Sequence, residues 1–203
     1  QIEKNEIIRE LDIMHDAGIG VIEINPVAMP EEAVDIGAEP VVWLSREWNE
    51  ILALTCDEAK KRGMIPDMIV GSGWPFGGEF LHQDQYIQRV LVNEIQLSGP
   101  RETTLSLTDL IKAMDHRNFP STVASNDLLF ISLVPSAAAS ASEVIDLMDK
   151  YREESLDFSV PGGKFQLIYG ILQKGYKQVY YGAPGASGHV IDHYKKNVVL
   201  TYL

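Results

Sequence analysis

A glycine-rich loop around a tryptophan is the segment whose residue types point most directly to chemistry. The loop, Gly71-Ser-Gly-Trp-Pro-Phe-Gly-Gly78, follows an apolar run that ends at Val70 and lacks the Lys-Ser/Thr ending of a phosphate-binding loop. An exposed indole can stack on the C–H face of a sugar ring, and the glycines permit tight turns and close backbone approach. Trp74 is therefore a candidate substrate-binding residue. The alternative is that Trp74 packs in the hydrophobic core.

A carboxylate near the end of an earlier apolar run is the second candidate. Glu23 lies within Gly20-Val-Ile-Glu-Ile-Asn25. Burying an unpaired charge is costly, so we expect Glu23, with Asn25 beside it, at an open edge where strands end. There Glu23 could bind sugar hydroxyls or a cation, or act as a catalytic acid or base. The alternative is a structural glutamate held in a salt bridge.

A third polar cluster precedes the end of the chain. Two glycines lead into His189-Val-Ile-Asp-His193, which opens the last predicted helix. Asp192 and His193 could hydrogen-bond a sugar or a cation-bound water. The alternative for Asp192 is that it caps this helix. The histidine spacing also raises a transition-metal site, but no further ligand spacing accompanies it.

The predicted elements that position these residues alternate between helix and strand, as in a parallel α/β fold. Apolar periodicity and glycine stops predict helix, strand, long loop, helix and strand, over residues 2–17, 19–24, 25–44, 45–63 and 64–70. The long loop carries acidic residues that we interpret as solvated, with a smaller chance that they hold a cation: Glu31, Glu32, Asp35 and Glu39.

The middle of the chain changes character. Alternating apolar and polar residues predict strands, with one short helix over 143–152; the strands are 86–97, 103–107, 128–134, 157–160, 165–172 and 178–181. We therefore expect three parts: first βα units over 1–83, an antiparallel β-rich insertion over 84–183, and a return to a helix over 184–203. That helix has no stop signal, and we expect the chain to be truncated at both ends.

Composition narrows the function classes. The formal net charge of −12 disfavours a nucleic-acid partner, because a nucleic-acid binder needs cations to displace phosphate counterions. No apolar run is long enough for a membrane span. The single cysteine, Cys56, cannot form an internal disulfide or a thiolate zinc site, and its place in a helical pattern predicts a buried, inert side chain.

Taken in order, three segments resemble the catalytic barrel of the α-L-rhamnosidases of glycoside hydrolase family 106. They are residues 17–23, 73–78 and 188–193. The resemblance implies a partial (β/α)8 TIM barrel with an inserted antiparallel β-rich region. It also implies a secreted or periplasmic bacterial enzyme that acts on oligosaccharides or plant polysaccharides. Such enzymes are inverting hydrolases that use carboxylates and, in the full-length protein, a calcium ion, for which no site is evident in this chain.

The resemblance assigns part of a sugar subsite to this chain, namely Glu23, Asn25, Trp74, Asp192 and His193. Glu23 is the one candidate for catalysis, and the main catalytic glutamates are expected beyond Leu203. The family loop commonly continues Gly-Gly-Pro-Trp, whereas here Glu79 follows the glycines and could alter the sugar accepted.

Other interpretations stay open at this point. One is a non-catalytic carbohydrate-binding or scaffold module, which would keep the aromatic surface and lack the acid/base pair. Another is an unrelated α/β enzyme. An incomplete barrel would expose sheet edges, so we also expect self-association.

Overall fold

The computed structural model describes residues 3–28 and 40–202, which fall into two compact units. Unit 1 comprises the segments up to Tyr86 and from Lys177 onward, and unit 2 is Ile87–Tyr176. The acidic loop residues named above lie outside the described residues, so their interpretation stays a prediction; they are Glu31, Glu32, Asp35 and Glu39.

Two amphipathic helices of unit 1 confirm the first two helix predictions. They are α1, Lys4–Asp16, and α2, Arg46–Lys61. The Ser45 hydroxyl accepts a hydrogen bond from the Trp48 N–H at 3.2 Å, so α2 begins with the predicted N-cap. Cys56 within α2 is half-buried rather than fully buried. Across residues 3–28 and 40–202, no helix combines the length and the apolar content needed to cross a membrane.

The two helices cover one face of a small parallel sheet. Its strands are β1, Val21–Ile24, and β2, Ile65–Met68, paired in parallel. The core between helices and sheet consists of Leu11, Ala59 and Met64, packed with Ile7, Met14 and Ile22. The other face of the sheet is exposed and carries Val21, Glu23, Ile65 and Asp67.

Unit 2 is built on an antiparallel sheet of five strands. In chain order these are β3, Gln88–Ser106; β4, Ser125–Pro135; β5, Ile145–Asp146; β6, Tyr151–Arg152; and β7, Ser155–Lys174. β7 lies between β3 and β4, while β5 pairs β4 and β6 pairs β7. A short helix, α3, Leu107–Lys112, packs on one face, where Leu110, Leu167 and Tyr169 are fully buried. Alternation of inward and outward residues along β7 produces this core.

Several local predictions for the middle of the chain are wrong in their boundaries. The strands predicted over 86–97 and 103–107 are one 19-residue strand, β3, with a register shift at Gly99 that the ladder absorbs. The helix predicted over 143–152 is replaced by two short 3-10 turns and the strands β5 and β6. The strand predicted over 178–181 forms isolated bridges only.

The predicted partial TIM barrel is also wrong. In the described parts of the chain, strand and helix alternate only from α1 to β2, and residues 87–176 pair antiparallel instead of adding further βα units. The physical reason is that long strands can pair antiparallel through a turn, so no crossover helix is needed between them. The last helix, α4, is Lys196–Tyr202, which confirms the helix predicted near the end of the described chain.

Candidate functional site

The tryptophan loop of unit 1 is fastened to a later segment by paired backbone bonds. The Trp74 N–H donates to the Tyr180 carbonyl at 2.8 Å, and the Tyr180 N–H donates to the Trp74 carbonyl at 3.0 Å. Further along, Gly77 forms an antiparallel bridge with Val190. The Trp74 side chain is 63% exposed, so it is not part of the core. The loop therefore holds an indole in solvent on a fixed backbone.

A buried serine joins three chain segments beneath this loop. The Ser72 hydroxyl donates to the Pro26 carbonyl at 2.9 Å and accepts from the Ala183 N–H at 2.7 Å. Ser72 is completely buried, and both of its bonds are to backbone groups. A further bond, from the Ala28 N–H to the Tyr181 carbonyl at 2.8 Å, links the same segments. The end of β1, the tryptophan loop and residues 180–183 are thus held together.

The residue after this serine has to be glycine. Gly73 has a φ of +76°, in the left-handed region that disfavours residues with a side chain. A Cβ at this position would also meet the Tyr180 carbonyl oxygen and the Gly182 nitrogen within 2.7 Å. The close approach that glycine allows is what lets Trp74 and Tyr180 pair. This agrees with the use proposed for the loop glycines from sequence.

Tyr180 is the functional candidate that sequence reasoning missed. It lies directly opposite Trp74 in the antiparallel bridge and is 65% exposed. Residues opposite each other in such a pair project to the same face, so the two aromatic side chains share one surface. No local pattern predicts this pairing, because the two residues are far apart in the chain. The only hint was an aromatic pair, Tyr180-Tyr181, at the end of a predicted strand.

Glu23 and Asn25 lie at the end of β1. Glu23 is exposed and has no ion pair among the described residues, which argues against the salt-bridge alternative. Its register partner is Asp67 on β2, so two carboxylates stand side by side on the exposed sheet face, with strands ~4.8 Å apart. Sequence reasoning passed over Asp67, although it has the same position in its strand as Glu23. Asn25 is exposed and lines a cavity of about 160 Å³ beside α2.

The Asp192 carboxylate makes its contacts with residues of its own turn. Only 5% of the residue is exposed, and its carboxylate accepts from the Tyr194 N–H at 3.1 Å and lies 3.4 Å from the Lys195 ammonium. Its backbone N–H donates to the Gln85 carbonyl at 2.8 Å. The carboxylate thus shapes the turn that leads into α4, a role close to the capping alternative.

His193 is exposed and contacts the tryptophan loop through a phenylalanine. Its ring lies 4.7 Å from the Phe76 ring, edge to face. The Ile191 N–H donates to the Phe76 carbonyl at 3.3 Å, which fixes the two segments beside each other. Nearby, His189 stacks on Tyr86 at 4.1 Å, with a buried Nδ1 that has no hydrogen-bond partner in the described structure.

The structure thus brings the tryptophan loop against two stretches, 178–183 and 189–193, and against the end of β1. Asn25, Trp74 and His193 are exposed residues of these connected segments, whereas Glu23 belongs to the open face of the β1–β2 sheet. Within residues 3–28 and 40–202, no three His, Cys, Asp or Glu side chains are grouped so as to hold a metal ion. The arrangement offers exposed aromatic faces beside hydrogen-bonding groups.

Comparison with known proteins gives a likeness to a solved structure. No family model matches the chain, and no curated protein matches it. Among solved structures the chain is similar to one titled "Structure of Rhamnosidase from Novosphingobium sp. PP1Y", with a TM-score of 0.59 and 13% sequence identity. The match covers 99% of this chain and 34% of that chain, so this chain spans about a third of its length. At this identity the likeness shows a shared fold.

Proposed function

We propose that this chain is the carbohydrate-binding part of a glycoside hydrolase, with L-rhamnosides as the first substrates to test. The observation that carries the proposal is the exposed Trp74, held on a backbone that mutual bonds with Tyr180 and the buried Ser72 make rigid. The fold likeness to a structure titled as a rhamnosidase supports the same class. An exposed aromatic ring on a fixed backbone binds at low entropic cost, because little is left to order.

Sugar recognition would combine stacking with hydrogen bonding. The negative face of the Trp74 indole attracts the C–H bonds on one face of a pyranose ring. Asn25 and His193 belong to the segments that meet the tryptophan loop, and they supply an amide and an imidazole for sugar hydroxyls. Asp192 would contribute by shaping the turn that presents His193.

Hydrolysis places a further demand on the protein. An inverting glycosidase needs two carboxyl groups roughly 6.5–9.5 Å apart, one as acid and one as base. We propose Glu23 as a carboxylate of the subsite, with the main acid/base pair and any calcium ion supplied by a larger exported enzyme. Because this chain matches about a third of the similar structure, the acid/base pair and the calcium ion are proposed for the whole protein and not for this chain.

A non-catalytic carbohydrate-binding module is the second candidate. It is favoured by the Asp192 carboxylate, which is buried and already hydrogen-bonded. Of the five predicted subsite residues, Glu23 is then the one with an exposed carboxylate. Release of nitrophenol from p-nitrophenyl α-L-rhamnoside by the protein that carries this chain separates the two. Turnover that falls on Glu23→Gln supports a catalytic role, and sugar binding without turnover supports the module.

The binding proposal is tested by titrating the chain with L-rhamnose in an isothermal titration calorimeter, which measures binding without using Trp74 as the reporter. We expect a saturable heat of binding that D-galactose does not reproduce and that Trp74→Ala abolishes. Val92→Ala is the matched control, because Val92 is also 63% exposed but lies in the sheet of unit 2. Equal binding of L-rhamnose by Trp74→Ala and the wild type would remove Trp74 from the site and with it the proposal.

A further inference from the structure

The pairing of two exposed aromatic residues in register defines a surface larger than one ring. Trp74 and Tyr180 exchange both of their backbone hydrogen bonds, which makes them a hydrogen-bonded antiparallel pair. In such a pair the Cα atoms lie ~5.5 Å apart and both side chains project to the same side of the ladder. The two side chains therefore leave the ladder on the same side, from Cα atoms separated by about the length of one pyranose unit.

This surface is both open and preformed. Trp74 is 63% exposed and Tyr180 is 65% exposed, so most of each ring faces water. The backbone beneath them is fixed by the buried Ser72 and by the close approach at Gly73. Two large aromatic side chains left in water side by side on a rigid backbone are typical of a binding surface rather than of packing.

We propose that Trp74 and Tyr180 bind two consecutive sugar units of an oligosaccharide, one unit on each ring. This inference rests on the proposed function and adds a second sugar subsite, at Tyr180, to the one at Trp74. A monosaccharide covers one ring and leaves the other in water, whereas a linked pair of pyranoses covers both. The Tyr180 hydroxyl adds a hydrogen-bonding group at the second position.

The charge of the chain argues against a single-stranded nucleic acid, the other polymer whose units stack on aromatic surfaces. Single-stranded nucleic acids also place successive bases on exposed rings, but their binding grooves are positively charged along the backbone. This chain has a formal net charge of −12. The segment that carries Trp74 has no lysine or arginine between positions 63 and 88, and the segment that carries Tyr180 has Lys177 three positions before it. A neutral oligosaccharide fits this surface without electrostatic cost.

The test uses isothermal titration calorimetry to compare the affinities of ligands with one, two and three rhamnose units. The ligands are L-rhamnose, an α-linked rhamnosyl disaccharide and the corresponding trisaccharide. The proteins are the wild type, Tyr180→Ala, Tyr180→Phe and Trp74→Ala. Tyr194→Ala is the matched control, because Tyr194 is a tyrosine that is 91% exposed and forms no bridge with Trp74. Melting temperatures of all variants verify that each is folded.

We expect the wild type to bind the disaccharide roughly tenfold more tightly than the monosaccharide, since each stacked ring adds a contribution of that order. Tyr180→Ala should lose this gain while its affinity for the monosaccharide stays unchanged. Tyr180→Phe, which keeps the ring, and Tyr194→Ala should keep most of the gain. Trp74→Ala should weaken binding of all three ligands.

Two results would overturn the inference, and they are distinguishable. If the wild type binds the monosaccharide and the disaccharide equally, or if Tyr180→Ala leaves the gain intact, the second ring is not a subsite and the Trp74 proposal stands. If no rhamnoside binds and Trp74→Ala behaves like the wild type, both the inference and the proposed function fail.

Discussion

At the scale of single residues, the hydrogen bonds of the buried Ser72 fix the position of the loop that carries the exposed Trp74. The Ser72 hydroxyl saturates a carbonyl at the end of β1 and an N–H at Ala183, two groups that no strand ladder satisfies. Buried backbone groups without a partner are costly, so this one side chain carries the junction of three segments. Sequence reasoning found Trp74 from its residue type but attached no weight to the serine two positions before it.

We expect Ser72→Ala to lower the free energy of unfolding of unit 1 by about 1–3 kcal/mol, because Pro26 and Ala183 each lose a buried partner. Urea denaturation followed by tryptophan fluorescence measures the change. Ser136→Ala is the control, since Ser136 is exposed in unit 2 and should change stability by less than about 0.5 kcal/mol. Equal stabilities of the two variants would show that the junction does not depend on the hydroxyl.

At the scale of elements, charged side chains fasten α2 to itself and to α1. Glu58 accepts from Lys61 at 2.6 Å and from Arg62 at 2.7 Å. Arg62 also bonds Asp12 of α1 at 2.8 Å, so one arginine spans both helices. The hydrogen bond from Lys61 and then that from Arg62 hold the pKa of Glu58 below its ordinary value near 4.5. The ionised form is thus the one that the folded protein stabilises.

The lowered pKa of Glu58 predicts acid sensitivity of unit 1. A carboxylate whose pKa is lower in the folded state contributes stability above its unfolded value, and that stability is lost as the pH falls through the folded pKa. Melting temperatures measured from pH 6 down to pH 3 should therefore fall less steeply for Glu58→Gln than for the wild type. Glu47→Gln, an exposed first-turn residue of α2, is the control and should follow the wild type. Parallel curves for all three proteins would contradict the assignment.

At the scale of the whole molecule, the two units rest on sheets of very different size. Unit 1 has a two-stranded parallel sheet covered by helices on one face, and unit 2 has five antiparallel strands around β7. Two-stranded sheets are marginal by themselves, whereas a strand with partners on both edges is well protected. Self-association of the chain, predicted from the sequence, stays a prediction. The exposed face and the edges of β1 and β2 are where it would occur.

Hydrogen exchange should report this difference. We expect amides in the middle of β7, from Leu167 to Ile171, to exchange more slowly than those of β1 and β2, because opening β7 requires loss of the core of unit 2. Exchange followed by mass spectrometry of peptides measures both regions in one sample. Faster exchange in β7 than in β1 would mean that the larger sheet is not the more stable one.

The sequence by itself determined the local features. Periodicity, the Ser45 cap and the glycine stops predict α1, α2, β1 and β2, because these signals act within a few residues. The residue type of Trp74 among glycines made it a candidate for an exposed binding residue, with packing in the core as the open alternative. These predictions needed no knowledge of which distant segments meet.

Only the tertiary structure decided the pairings. The partial barrel was wrong because alternation cannot tell whether a strand pairs through a crossover helix or directly with a later strand such as β7. Tyr180 became part of the candidate site through a bridge to Trp74, and Ser72 reaches Ala183 across 111 positions of sequence. Contacts of that separation depend on the whole folded chain, since many alternative partners satisfy the same local pattern and only one set saturates every buried backbone group.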